Sequence, residues 1–160
     1  MEQVHWSIKT FEELSTQELY NIMTERINIF VVEQECPYPE LDGKDIDAYH
    51  LVAQSEDGAI MAYARIFQSG SYYEQASIGR VIVNENYRGQ GLGKQLMRKA
   101  IHFVLHDLHE TEIKIQAQHY LENFYQSFGF LSVSEVYIHD LIPHLDMLYT
   151  YCQNKEKDYE

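Results

Sequence analysis

Three glycines alternate in Arg88-Gly89-Gln90-Gly91-Leu92-Gly93-Lys94, between a β-branched run, Val81-Ile82-Val83, and an apolar pattern at helical spacing. Such a turn can bind an anion. Glycines let backbone N–H groups approach an oxyanion with no Cβ in the way. The first amides of a helix, at the positive end of its dipole, favour a phosphate or diphosphate. Lys94 and Arg98, four apart, share a helical face from which they can reach a further phosphate. Three readings compete. Tight chain geometry alone needs no ligand. A dinucleotide fingerprint needs G-x-G-x-x-G, whereas this turn reads G-x-G-x-G; a phosphate-loop NTPase needs Gly-Lys followed by Ser or Thr, and Gln95 follows Lys94. The last two fail on residues.

Other side chains could handle a substrate. Arg65 and Arg80 lie inside strand-like, otherwise apolar runs, an unusual place for arginine; each either meets a substrate carboxylate or pairs with a buried acid. Glu33, Glu35, Asp42 and Asp45 are acids available as a general base. Glu33 leads, because Arg26 lies seven residues earlier, on the same face of a continuing helix; buried, the two would form an ion pair that fixes the following loop. His102, His106 and His109 share a helical face, a pattern that can hold a divalent metal but more often lines a solvated helix. No matching carboxylate accompanies them, so no metal is expected. Cys36 and Cys152 lie far apart, which suits reduced thiols and no disulfide framework.

These residues need a scaffold. A chain of 160 residues suits one domain; without repeats or linkers, the expectation is one domain over 1–152 and a polar tail, 153–160. Residues 4–10 alternate as a strand. Ser15 and Glu18 form a capping-box signature, and Leu19, Ile22, Met23, Ile27 and Phe30 predict a helix from 16 to about 32. An irregular loop covers 33–47. Strands are predicted at Tyr49–Gln54, 60–68 and 76–83, the first two joined at Glu56-Asp57-Gly58. Leu92, Leu96, Ala100, Val104 and Leu108 give an amphipathic helix. A strand at 112–117 follows, then a helix at 120–128 stopped by Gly129 in a left-handed cap. Strands at 130–138 and 147–151, joined by a turn containing Pro143, complete an α/β order that predicts a mixed sheet covered by helices.

Formal net charge is −13. So acidic a surface repels phosphate backbones, so no nucleic-acid partner is expected; the acidity suits a cationic amine substrate or simply solubility. No apolar run approaches the ~20 residues of a membrane span, and the opening residues lack the blocks of a signal peptide. The expected location is the cytoplasm.

The turn Arg88-x-x-Gly91-x-Gly93 lies between Gly79-Arg80-Val81-Ile82-Val83 and Phe124-Tyr125-x-x-x-Gly129-Phe130. Together these resemble the cofactor region of the GNAT superfamily of acetyl-CoA-dependent N-acyltransferases. Arg26, Phe30-Val31-Val32-Glu33-Gln34-x-Cys36-Pro37-Tyr38, Leu41-Asp42-Gly43-Lys44-Asp45 and Ile142-Pro143-His144 look like its ElaA-like branch, which carries a glycine where this chain has Leu141. The resemblance implies the GNAT acyl-CoA N-acyltransferase fold, a central mixed six- to seven-stranded sheet flanked by helices. It also implies acetyl-CoA as cosubstrate, without a metal. Two parallel strands would part around the pantetheine arm, with the backbone of Val81, Ile82 and Val83 bonding it. The amides of Arg88, Gly89, Gln90, Gly91, Leu92, Gly93 and Lys94 would hold the diphosphate. Tyr125 would be the general acid for the departing thiolate; the base stays open among Glu33, Glu35, Asp42 and Asp45, with Glu33 first, and Arg26, Arg65 and Arg80 are the candidates for contact with the acceptor. The implied reaction is acetyl transfer to a primary amine of a small molecule or peptide, in an enzyme that forms a homodimer by analogy. A non-catalytic CoA sensor and a transferase of longer acyl groups are the alternatives.

Overall fold

Where apolar residues alternate, a strand buries one face; where they run on, it buries both. The computed structural model describes residues 3–152, so the expected tail at 153–160 lies outside the described residues. The chain divides into two compact units, Met1–Phe67 with Ile78–Ala100, and Gln68–Ser77 with Ile101–Glu160.

In the first unit, β1 (His5–Thr10) pairs antiparallel with β2 (Tyr49–Gln54), and β2 antiparallel with β3 (Ile60–Phe67). β4 (Ser77–Val83) completes the order β1-β2-β3-β4. β3 is apolar apart from Arg65 and is buried at every residue. Ser15 caps α1 (Thr16–Ile27): the Glu18 amide donates to Ser15 Oγ at 3.0 Å and the Ser15 amide to Glu18 Oε1 at 2.9 Å. α1 buries Ile22 and Arg26, and Ile22 joins Ile29, Val52, Ile60, Tyr63 and Ile82 in the core. The helix expected to continue to about residue 32 changes character at Asn28. Asn28–Glu33 is a π-helical segment in which the Gln34 amide donates to Ile29 O and the Cys36 amide to Val31 O, both at 3.1 Å. The crowded Ile29-Phe30-Val31-Val32 run suits α geometry poorly. α2 (Leu92–His102) buries Leu92, Leu96, Met97 and Ala100, and the chain then enters a second π segment, Phe103–Asp107, rather than running on as α-helix to Leu108.

In the second unit, β5 (Glu112–Gln118) buries Ile113, Ile115 and Ala117 in alternation and pairs antiparallel with β8 (Ile142–Thr150). α3 (Glu122–Gln126) is shorter than expected and follows a 3-10 turn, His119–Leu121; Gly129, at φ 107°, provides the left-handed stop. The single strand expected at 130–138 is two, β6 (Leu131–Ser132) and β7 (Tyr137–His139), each paired with β8. Between them Ser134 Oγ accepts the Asp146 amide at 2.8 Å, so a side chain takes the donor that a continuous ladder would use. The turn expected at Pro143 lies earlier, at Asp140 and Leu141 (φ 49° and 69°), and Pro143 sits within β8 opposite Ile138. The pairing of β8 with β5 ends at His144, so the missing proline N–H removes no bond to β5.

Among the described residues, eight strands form two four-stranded sheets, flanked by helices as the mixed α/β fold requires. An isolated parallel bridge joins Ala76 to Ile113, with the Lys114 amide on Ala76 O at 2.8 Å. No helix among the described residues is long and apolar enough to cross a membrane.

Leu141 is an exposed side chain in a left-handed conformation that costs an L-residue about 1–2 kcal/mol. Leu141→Gly should raise stability by about 0.5–1 kcal/mol after the greater unfolded-state entropy of glycine is subtracted. A higher urea midpoint at unchanged slope would show this, whereas Leu141→Ala, which keeps the Cβ, should give no such gain.

Candidate functional site

The glycine turn is fastened at its entrance. The Asn84 amide donates to Met61 O at 2.9 Å and its side-chain NH2 to Ile60 O at 3.1 Å, while Asn84 Oδ1 accepts the Asn86 amide at 3.0 Å. A 3-10 turn, Glu85–Tyr87, leads to Arg88, whose Nε donates to Val83 O at 3.0 Å. Gly89 and Gly91 hold φ 82° and 80°. A Cβ added at either would meet nothing within 4 Å, so the backbone conformation demands glycine and the space above the turn is open. The first bond into α2 runs from the Gln95 amide to Gly91 O at 3.2 Å. The amides of Leu92, Gly93 and Lys94 therefore precede the helical ladder. No acid occupies the first turn of α2, and Lys94 and Arg98 are exposed. Open space, left-handed glycines, free-ended amides and nearby cations fit a diphosphate.

A second cluster in the same unit is ionic and enclosed. Arg26 is fully buried; its Nε donates to Glu40 Oε2 at 2.9 Å and its Nη1 to Asp45 Oδ1 at 2.5 Å. Arg65, on β3, donates from Nη1 to Asp42 and Asp45 at 2.9 and 3.0 Å, and from Nη2 to Asp42 Oδ2 at 2.9 Å. Burial pushes the Asp42 carboxyl up, but the Arg65 hydrogen bond and the Lys44 amide outweigh it, and the net shift is downward. Arg80, on β4, holds a left-handed φ of 50°. Its Nε lies 2.8 Å from Glu40 Oε2, out of line for a hydrogen bond, and its guanidinium stands over the Phe30 ring at 4.9 Å. His50 Nε2 faces Asp45 O at 3.0 Å, which makes Nε2 the donor; Nδ1 then accepts from Tyr63 Oη at 2.6 Å. Burial, with Arg26 and Arg65 adding to it, lowers the His50 pKa below its ordinary 6.5.

The arginines thus meet buried acids, but the Arg26–Glu33 pair does not form. Glu33 Oε2 instead lies 3.1 Å from Arg88 Nη2, at an exposed position. Sequence reasoning missed Glu40, His50 and Tyr63. Only for His50 was there a signal: a histidine on the inward-facing phase of an apolar strand must be hydrogen-bonded or neutral.

In the second unit, Tyr125 is buried on α3, its ring 5.2 Å from Phe124 and 6.1 Å from Phe130. Burial raises its phenol pKa well above the ordinary range. His102 and His106 pack ring to ring at 4.5 Å, whereas His109 takes a left-handed φ of 57° beyond the π segment. No grouping of three or more metal-ligating side chains occurs among the described residues.

Known proteins share this architecture. The sequence profile of the acetyltransferase (GNAT) domain matches residues 7–151. Protein ElaA of Escherichia coli K12 is 43% identical over 146 residues, covering 90% of this chain and 95% of ElaA. The crystal structure of Escherichia coli ElaA superposes with a TM-score of 0.85 at 42% identity, over 92% of this chain and 99% of that one. An acyl-CoA N-acyltransferase structure from Pseudomonas aeruginosa gives 0.88 at 39% identity, over 92% and 100%.

Two consequences follow from the ionic cluster. Removing one partner of a buried ion pair strands the other charge, so Arg26→Met should cost about 3–5 kcal/mol in urea unfolding. The His50 pKa is lower in the folded chain than in the unfolded one, so on acidification the unfolded state takes up the proton first. His50 therefore contributes stability that is complete above pH about 6.5 and lost as pH falls toward its folded pKa. Urea midpoints should decline between about pH 7.5 and 5.5, with a shallower decline in His50→Gln.

Proposed function

The chain belongs to the GNAT acetyltransferase family, and from that premise we propose that it is an N-acetyltransferase that moves an acetyl group from acetyl-CoA to a primary amine of a small molecule or peptide. The observation that carries this reading is the open turn at Gly89 and Gly91, whose following amides precede the ladder of α2.

Acetyl-CoA supplies an activated thioester when bound. The residues of this chain supply binding and proton handling. The backbone of Val81, Ile82 and Val83 offers strand-edge groups to the pantetheine arm, as an edge strand accepts a peptide. Amides at residues 88–94 hold the diphosphate, and Lys94 and Arg98 lie on the exposed face of α2 within reach of further phosphate charge. Tyr125 keeps its proton at neutral pH because burial disfavours the phenolate, and so can donate it to a departing thiolate. Glu33, an exposed carboxylate, is the base we assign to the acceptor ammonium. Arg26 and Arg65 direct their donors to Glu40, Asp42 and Asp45 and position the loop after Glu33; Arg80, ion-paired to Glu40 through Nε and less buried than the other two, is the arginine we assign to an acceptor group.

Free thiol should appear in an amine-dependent manner when the protein meets acetyl-CoA and a panel of amines. Gly91→Val should weaken CoA binding by about tenfold or more, since a β-branched residue resists a left-handed φ. Tyr125→Phe should lower kcat about a hundredfold and leave CoA affinity unchanged. CoA binding without thiol release for any amine would leave a binding module instead of an enzyme, and longer acyl-CoA donors in the same assay define the acyl preference.

A further inference from the structure

The pair between Glu33 and Arg88 joins two parts of the proposed site. Glu33 is the last residue of the first π segment, where the chain turns into the loop at 34–47, and Arg88 opens the glycine turn. Arg88 is held twice, through Nε on Val83 O and through Nη2 on Glu33 Oε2 at 3.1 Å. The first turn of α2 contains no acid, and Lys94 and Arg98 form no ion pair among the described residues. Glu33 is therefore the one carboxylate, among the described residues, that is ion-paired to a cation of this turn. A guanidinium takes carboxylate and phosphate oxygens in the same forked geometry. Both partners are substantially exposed, 45% for Arg88 and 40% for Glu33, so the pair can open at little cost.

We propose that Glu33 is an internal counter-ion that competes with the donor diphosphate for Arg88 and so sets the affinity of the turn for CoA. This rests on reading the turn as the diphosphate site. Without donor, Arg88 is neutralised by Glu33; when the diphosphate engages Arg88, Glu33 is released. Donor binding then unfastens the start of the loop and frees the carboxylate for the acceptor amine, which imposes an order of donor first and acceptor second. The apparent affinity for CoA is lowered by the fraction of molecules in which Glu33 holds Arg88.

The test is calorimetric titration of CoA, and of pantetheine, which lacks the diphosphate, into four proteins: wild type, E33Q, R88Q and the double variant. E33Q should bind CoA about two- to tenfold more tightly than wild type at low salt, with the gain shrinking at high salt. Pantetheine affinity should not change. Most of the gain should vanish in the R88Q background, because no guanidinium remains to compete for. A merely structural role for Glu33 would weaken binding when the pair is lost, so the sign separates the two. Equal or weaker CoA binding by E33Q beside a wild type that binds CoA overturns this proposal alone, and so does a gain of the same size with pantetheine. A wild type that binds no CoA overturns the reading of the turn along with it.

Discussion

A guanidinium with no exposure to water dictates much of the first unit. Arg26 enters the interior on the last turn of α1, and a buried cation without partners is prohibitive. Its partners cannot come from α1, whose inner face is otherwise apolar. They come from Glu40 and Asp45, 14 and 19 residues onward, so the intervening chain must fold back over the helix end. Asp45 is shared with Arg65, Glu40 with Arg80, and the Asp45 carbonyl accepts the Nε2–H of His50. An array of this kind contributes little net stability, because desolvation consumes most of the Coulombic gain. What it fixes is placement. A loop rich in proline and acids, with little apolar surface to bury, is held over β2 and β3 by charge.

The local signals were legible and the distant ones were not. The capping box at Ser15 and Glu18, the bounds of β2 and the glycine turn each depend on neighbours within a few residues, and each stands where the spacing puts it. The π segments escaped notice because their apolar residues fit helical spacing, and only the bonds from Gln34 to Ile29 and from Cys36 to Val31 reveal the wider turn. The break between β6 and β7 depends on a hydroxyl meeting an amide twelve residues away, which no pattern along the strand announces. The partner of Arg26 was sought at the helical spacing of Glu33. It lay across a loop, and Glu33 turned to an arginine 55 positions on. In the candidate site, the backbone part was legible and the side-chain part was not, for the same reason.

Both π segments end alike. Two positions beyond Glu33 stands Glu35 at φ 54°, and two beyond Asp107 stands His109 at φ 57°. The chain thus leaves each wide turn through a left-handed residue, as an α-helix commonly leaves through glycine. Neither residue is glycine, so each exit carries strain that the surrounding bonds must hold. At the first exit the Cys36 amide on Val31 O and the Glu35 amide on Val32 O do so; at the second the Glu110 amide on Val104 O serves. The first exit is also where Glu33 is presented to Arg88, so the wide turn places a carboxylate that a regular helix would carry on a different azimuth.

The proposed diphosphate site would work against the field of an acidic chain. With a formal charge of −13, long-range potential opposes a diphosphate, and four cations between Arg88 and Lys99 offset it only partly. Arg88 is already neutralised, and Lys99 lies against the Trp6 ring at 5.1 Å. Backbone amides escape the difficulty. They carry no net charge, contribute nothing to repulsion or attraction at a distance, and act only within hydrogen-bond range, where their alignment along α2 concentrates a fixed partial positive charge. Selectivity then falls on shape. A ligand must bring its oxygens down to a backbone stripped of Cβ atoms at Gly89 and Gly91, and a bulky or loosely charged anion gains little there. On the proposed reading, the glycines matter because they make the site a short-range one, set by backbone contact more than by the charge of the surrounding surface.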